Sequence, residues 1–212
     1  MSSTKLIIIR HGETLWNVEG KKQGQLDSSL TALGIEQAQA LAQRLIEESF
    51  TVLYSSDLGR AAETARYIAD RTNHKVCLDE KLRERNFGIF QGLTDGQIKN
   101  EYPAEYHSHL ADRVDYVIPN GESLRQFYAR VTACLENLTA RTAGQTIAVV
   151  THGGVIDGWF RFIFDLPLEI PRKAKLWNAS INCIVHEDAV GWTLHTWGDV
   201  NHIKSLRHLD DY

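Results

Sequence analysis

Residues Lys5-Leu6-Ile7-Ile8-Ile9-Arg10-His11-Gly12-Glu13-Thr14 set a run of aliphatic side chains directly before a cation, an imidazole and a glycine. A continuous aliphatic run without polar alternation is the pattern of a strand covered on both faces, as in a parallel sheet flanked by helices. Thr146 to Val150 repeats the pattern and is followed by Thr151-His152-Gly153-Gly154. Val52 to Ser55 and Val76 to Leu78 are shorter strand candidates between these two. Helical periodicity fills the intervals. Ala38, Leu41, Ala42, Leu45 and Ile46 make one apolar stripe, and Leu124, Phe127, Tyr128, Val131, Leu135 and Leu138 make another. Thr31 and Asp57 are expected to cap the first and second helices. Trp159, Phe160, Phe162, Ile163 and Phe164 read as a buried helix, not as a cofactor box. Ile181 to His186 and Trp192 to Trp197, separated by Asp188 to Gly191, read as an antiparallel pair at the sheet edge. The order of elements gives an α/β fold.

The chain of 212 residues is expected to form a single domain. Gly88 to Gly121 interrupts the alternation with four glycines and two prolines and only one short helical candidate, Asp95 to Glu101. It is expected to be an inserted lid subdomain. Apolar residues make up 43% and charged residues 24%, with a net charge of -4 and no basic block, so nothing points to nucleic acid. No apolar stretch approaches the ~20 residues of a membrane span, and the start lacks a signal-peptide pattern, which leads us to expect a cytoplasmic protein that does not engage membranes. Cys77, Cys134 and Cys183 are far apart and read as small core residues, not as a disulfide or zinc framework. His107, His109 and Asp112 fit no metal-ligand spacing; these histidines, with His186, His195, His202 and His208, are expected on exposed polar surface.

In open α/β sheets ligands collect beyond the carboxyl ends of the parallel strands, where helix N-termini point free amides. Arg10 and His11 follow the first strand, His152 with Gly153 and Gly154 follows the Thr146 strand, Arg60 lies shortly after Ser55, and Glu84 comes shortly after Leu78. That set suits a phosphate monoester. Guanidinium groups match phosphate oxygens and neutralise a dianion, and the glycines permit close backbone approach. A neutral imidazole attacks phosphorus, and Arg10 and Arg60 disfavour its protonation, which keeps His11 nucleophilic. Glu84 is positioned in sequence to protonate the leaving oxygen and later take a proton from water.

The run LIIIRHGETLWNVEGKKQGQLDSSLTALGIEQAQAL resembles the opening of the histidine phosphatase superfamily, the phosphoglycerate mutase-like group with the RHG motif. YSSDLGRAAETA, LRERNFGIFQGLT, IPNGESLRQFYARV, VVTHGGVIDGWF and NASINCIVHED continue the resemblance in the family's order over nearly the whole chain. It implies a three-layer α/β/α domain, a phosphohistidine intermediate, and neither metal nor cofactor. Residue by residue, it makes His11 the phosphorylated nucleophile and Glu84 the proton donor. Arg10, Arg60 and His152 complete the phosphate pocket. Asn17 matches an asparagine that contacts the phosphoryl group, and Gln23 and Gly24 match the loop at the pocket mouth; Gly153, which permits close backbone approach, is a further expected substrate-binding residue.

Two reactions share such a pocket: phosphomonoester hydrolysis, and bisphosphoglycerate-dependent phosphoglycerate mutation. Mutases resemble one another in an asparagine and lysine after QGL, adjacent arginines in a longer basic insertion, and asparagine-serine after the second HG. Here the corresponding stretches are QGLTDGQI, a single Arg113 in ADRVDYVIP, and THGGVI, so the chain resembles the phosphatases. A non-catalytic phospho-ligand-binding module is the rival of another class, but such a protein would typically lose the nucleophile or the acid, and both are present. The expected ligand is a small-molecule phosphomonoester, selected by Gln23, Gln25, Phe87, Phe90 and the lid; a homodimer is compatible with this reading.

Overall fold

The computed structural model describes residues 3–206. Its centre is a six-stranded sheet in the order β3-β2-β4-β1-β5-β6, formed by β1 (Ser3–Arg10), β2 (Val52–Ser55), β3 (Val76–Leu78), β4 (Thr146–Thr151), β5 (Ile181–Glu187) and β6 (Gly191–Asp199). β1, β4, β2 and β3 run parallel, and β5 and β6 close one edge antiparallel.

The aliphatic runs build the three layers directly, because successive side chains on a strand face opposite ways. Leu6, Ile8, Ile147 and Val149 face one core together with Phe127, Val131 and Leu135 of α6 (Leu124–Arg141) and Val155, Ile156 and Trp159 of α7 (Gly153–Ile163). Ile7, Ile9, Ala148 and Val150 face the other, against Leu41 and Leu45 of α2 (Ala32–Leu45) and Ala61, Ala65 and Ile68 of α3 (Gly59–Thr72). Thr31 caps α2, its hydroxyl accepting the Gly34 N–H, and Ser123 opens α6 with a reciprocal capping box to Gln126.

Several local expectations require correction. Asp57 does not cap α3: the cap residue is Leu58, and the Asp57 carboxylate is held by Arg83 at 2.7 Å. Asp27, from a distant loop, instead accepts the Gly59 N–H at 2.6 Å. Ile46 falls at the end of α2 and is half exposed. Cys77 is exposed because β3 pairs on one side only, whereas Cys134 and Cys183 are buried. Of the aromatic run in α7, Trp159 is buried, Phe160 and Phe162 are half-buried, and Phe164 is exposed. His109, His186 and His202 are half-buried; His107 and His195 are exposed, and His208 lies outside the described residues.

Between β3 and α6 the chain forms α4 (Asp95–Glu101) and a helix not anticipated from the sequence, α5 (Pro103–Ala111), whose proline occupies the first helical turn. Phe90, Ile98 and Ile118 make a small separate core there, flanked by Phe87, Tyr102, Tyr106 and Tyr116. Phe90 is fully buried in that core and does not present its ring to a ligand. Gly88 has φ +48°, and a Cβ there would stand 2.0 Å from the Pro119 carbonyl oxygen. That close approach joins the two ends of the segment.

Candidate active site

Register brings the chemistry together. Arg10 pairs across from Thr151, and Ser55 from Val150, so His11, His152 and Ser56 are the next residues off three adjacent parallel strands. The first turn of α2 packs on this edge: a Cβ on Gly12 would meet the Gly34 carbonyl oxygen at 2.6 Å, and one on Gly34 would meet the Glu13 oxygen at 2.0 Å. Only glycine fits at either position without moving backbone.

His11 is 3% exposed, and its Nδ1 lies 2.7 Å from the Gly12 carbonyl oxygen. A carbonyl only accepts, so Nδ1 carries the proton and the Nε2 lone pair is free to react. The His152 ring lies 5.2 Å from that of His11, and its Nε2 is 2.8 Å from the Ser56 hydroxyl. Its buried Nδ1 has no partner among the described residues. Burial first, then the positive charges of Arg60 and Arg10, hold the His11 pKa well below its ordinary value. Burial and Arg60 do the same for His152.

Arg60 is 2% exposed at the start of α3. Its two terminal nitrogens are engaged by the protein: Nη1 donates to Leu26 O at 2.8 Å and to Asp27 Oδ1 at 2.9 Å, and Nη2 donates to Gly24 O at 2.8 Å. Nε remains without a partner among the described residues. The guanidinium therefore also ties down the loop that carries Gln23 and Gly24. Arg10 donates to the Leu176 carbonyl. Gly153 stands beside it, where a Cβ would be 3.5 Å from Arg10 Nε.

Glu84 reaches this edge through α7. Its Oε2 accepts the Gly154 N–H at 2.9 Å and its Oε1 the Arg85 N–H at 2.8 Å, an anion on a helix N-terminus. Asn17 closes a capping box with Thr14 on α1 (Leu15–Val18), and it lines a cavity with Arg10. Its Oδ1 accepts from Asn178 Nδ2 at 3.2 Å. Gln23 is buried, with Oε1 lacking a partner among the described residues. All nine sequence-derived residues thus lie on or border one edge of the sheet.

Four contributors were missed. Ser56, Asp27 and Asn178 sit inside motifs quoted above, but only the fold shows what they touch. Arg130 is the fourth: from α6 it donates to the carbonyls of Lys81, Arg83 and Glu84 at 3.0, 2.9 and 3.2 Å and to Glu122 Oε1 at 2.8 Å, which fixes the segment that carries Glu84.

The buried neutral histidines have a consequence for stability. On unfolding they regain the ordinary pKa of 6.5, so below that pH the unfolded chain binds more protons. Stability is fully present above pH 6.5 and falls on acidification, by up to ~1.4 kcal/mol per pH unit for each histidine. The shifts of His109 and His202 have the same sign. Urea midpoints measured from pH 7.5 to 5 should decline; a constant or rising midpoint would contradict the assigned protonation states.

Residues 6–200 match the family model of the histidine phosphatase superfamily, branch 1. The chain belongs to this superfamily. Among curated histidine phosphatase relatives it is 41% identical to phosphoglycerate mutase-like protein 4 of Arabidopsis thaliana, over 97% of this chain and 89% of the relative. It is 37% identical to a metal-independent phosphoserine phosphatase of the same plant, over 97% and 86%. A phosphoserine phosphatase mutant from Entamoeba histolytica, solved with phosphoserine, superposes with a TM-score of 0.81 at 31% identity, covering 94% of this chain and 99% of its own.

Proposed function

We propose that the chain is a metal-independent phosphomonoester hydrolase that acts on a small phosphorylated metabolite through a phosphohistidine intermediate. The observation that carries this reading is the bond between His11 Nδ1 and the Gly12 carbonyl, which leaves a neutral Nε2 among buried cations. Arg10, Arg60 through its Nε, His152 and Asn17 hold the phosphoryl oxygens, with Gln23, Gly24 and Gly153 shaping the pocket. Nε2 of His11 attacks phosphorus in line, the ester P–O bond breaks, and Glu84 gives its proton to the departing oxygen. Water then attacks the phosphohistidine, giving its proton to Glu84 and releasing inorganic phosphate. The two arginines supply the positive field that a metal would otherwise provide. The 88–121 segment acts as a lid within the one domain, and the enzyme works in the cytoplasm, without nucleic-acid or membrane partners, as a monomer or homodimer.

Phosphate release from a panel of phosphomonoesters tests this reading, with and without EDTA dialysis. We expect turnover that chelation leaves unchanged. With 3-phosphoglycerate, added 2,3-bisphosphoglycerate should yield little 2-phosphoglycerate. Rapid interconversion with negligible phosphate release would instead establish the mutase reaction, and activity restored by one divalent ion would overturn the metal-free mechanism.

Gly154 offers a separate test of Glu84. A Cβ there would lie 2.0 Å from Glu84 Oε1, a movable side-chain atom and not backbone. Gly154→Ala should therefore displace the carboxylate and leave the fold intact. A fall of about 10²-fold in kcat/KM for alkyl phosphates is expected, with Tm nearly unchanged. Full activity in this variant would separate Glu84 from proton transfer.

A further inference from the structure

A cavity of about 440 Å³ opens beside Arg10 and Asn17, and its remaining wall is a single stretch, Arg172 to Asn178. That stretch contains Arg172, Lys173 and Lys175, so with Arg10 four cations and no carboxylate line the cavity. This is a local concentration of positive charge in a chain whose net charge is -4. Among the described residues neither Arg172 nor Lys173 forms an ion pair, and both are exposed toward solvent. Lys175 lies over the Trp177 ring at 4.8 Å from its centroid, which stiffens the wall.

The stretch is anchored to the site at its far end. Arg10 donates to Leu176 O, Asn178 Nδ2 donates to the carbonyls of His11 and Gly12 at 3.1 and 3.2 Å, and Ala179 N–H donates to Arg10 O at 3.1 Å. Ala179 is fully buried with φ +58°, a left-handed conformation that a residue bearing a Cβ adopts only when its surroundings enforce it. The basic wall thus starts at the residues proposed to hold the phosphoryl group. Arg10 and Arg60 already supply two guanidinium groups for the phosphoryl dianion, so Arg172 and Lys173 are cations in excess of that need.

We infer that the substrate of this site, resting on the hydrolase reading above, carries a second anionic group, a carboxylate or another phosphate, which Arg172 and Lys173 recognise across the cavity. The two residues select the substrate and take no part in bond breaking. Each interaction is partly screened by water, so recognition should weaken with salt.

The test uses binding, so that it does not depend on turnover. In the His11→Ala protein, dissociation constants are measured by calorimetry for glycerol 3-phosphate, for 3-phosphoglycerate, which replaces its terminal CH₂OH by a carboxylate, and for glycerol 1,3-bisphosphate. We expect at least one of the two doubly anionic ligands to bind about tenfold or more tightly than glycerol 3-phosphate, and R172Q/K173Q to bring that ratio close to one while leaving the affinity for glycerol 3-phosphate within about twofold. The bisphosphate and carboxylate arms identify which anion is preferred. Equal affinities in the parent protein, or a ratio that survives R172Q/K173Q, would overturn the inference. Absence of phosphate release by the wild-type enzyme would instead count against the hydrolase reading and leave these binding ratios to decide the subsite.

Discussion

Replacing His11 with alanine is expected to lower kcat by about 10⁴-fold or more for every phosphomonoester that the wild-type protein hydrolyses. The ring is nearly fully buried, yet it lies at the site edge of the sheet and outside the two main cores, so its loss removes the attacking atom with little loss of packing. Arg10, Arg60 and His152 would still bind phosphate, which is why substrate affinity should be largely retained while turnover vanishes. Unfolding transitions and phosphate binding measured on the same preparation separate this outcome from misfolding. A folded, phosphate-binding variant with near-normal turnover would remove His11 from the chemistry.

Glu84→Gln should produce the second largest effect, and one that depends on the leaving group. Glutamine keeps the side-chain shape, and its one amide oxygen can accept only one of the Arg85 and Gly154 N–H groups that Oε1 and Oε2 now accept separately, but the loop is held by Arg130 at the carbonyls of Lys81, Arg83 and Glu84 and keeps its place. What is lost is a proton that can be given to a departing alkoxide. For alkyl phosphates kcat/KM should fall by about 10² to 10⁴-fold, whereas p-nitrophenyl phosphate, whose phenolate departs with little protonation, should fall by less than about tenfold. Equal losses on both substrates would give Glu84 a binding role only.

The legibility of this protein followed from how local each feature is. β1 and β4 could be read because burial on both faces leaves an uninterrupted aliphatic run, and their cationic and imidazole sequels mark the ligand edge. The second helix of the 88–121 segment could not. Pro103 and the surrounding glycines read as breaks, although proline is at home in a first helical turn, and α5 buries none of its residues fully, so it leaves no apolar stripe. Cys77 departs from the core expectation because an edge strand has the same composition as a central one; pairing on one side is a tertiary fact. Arg60 was recognised as a cation, but its hold on Leu26, Asp27 and Gly24 joins segments far apart in the chain. The basic wall at Arg172 to Lys175 does not stand out in the sequence, because three cations are ordinary in a chain whose net charge is -4; their meaning comes from the anchor to Arg10 and His11.

The most direct test of the account is rapid acid-free quenching of the wild-type enzyme during turnover of a ³²P-labelled substrate, followed by peptide mapping. The account predicts a phosphoryl group on the peptide containing His11, stable in alkali and labile in acid as a phosphoramidate bond requires, and absent from the His11→Ala protein. A phosphoryl group on another residue, or turnover with no covalent species under conditions that accumulate the intermediate, would contradict it.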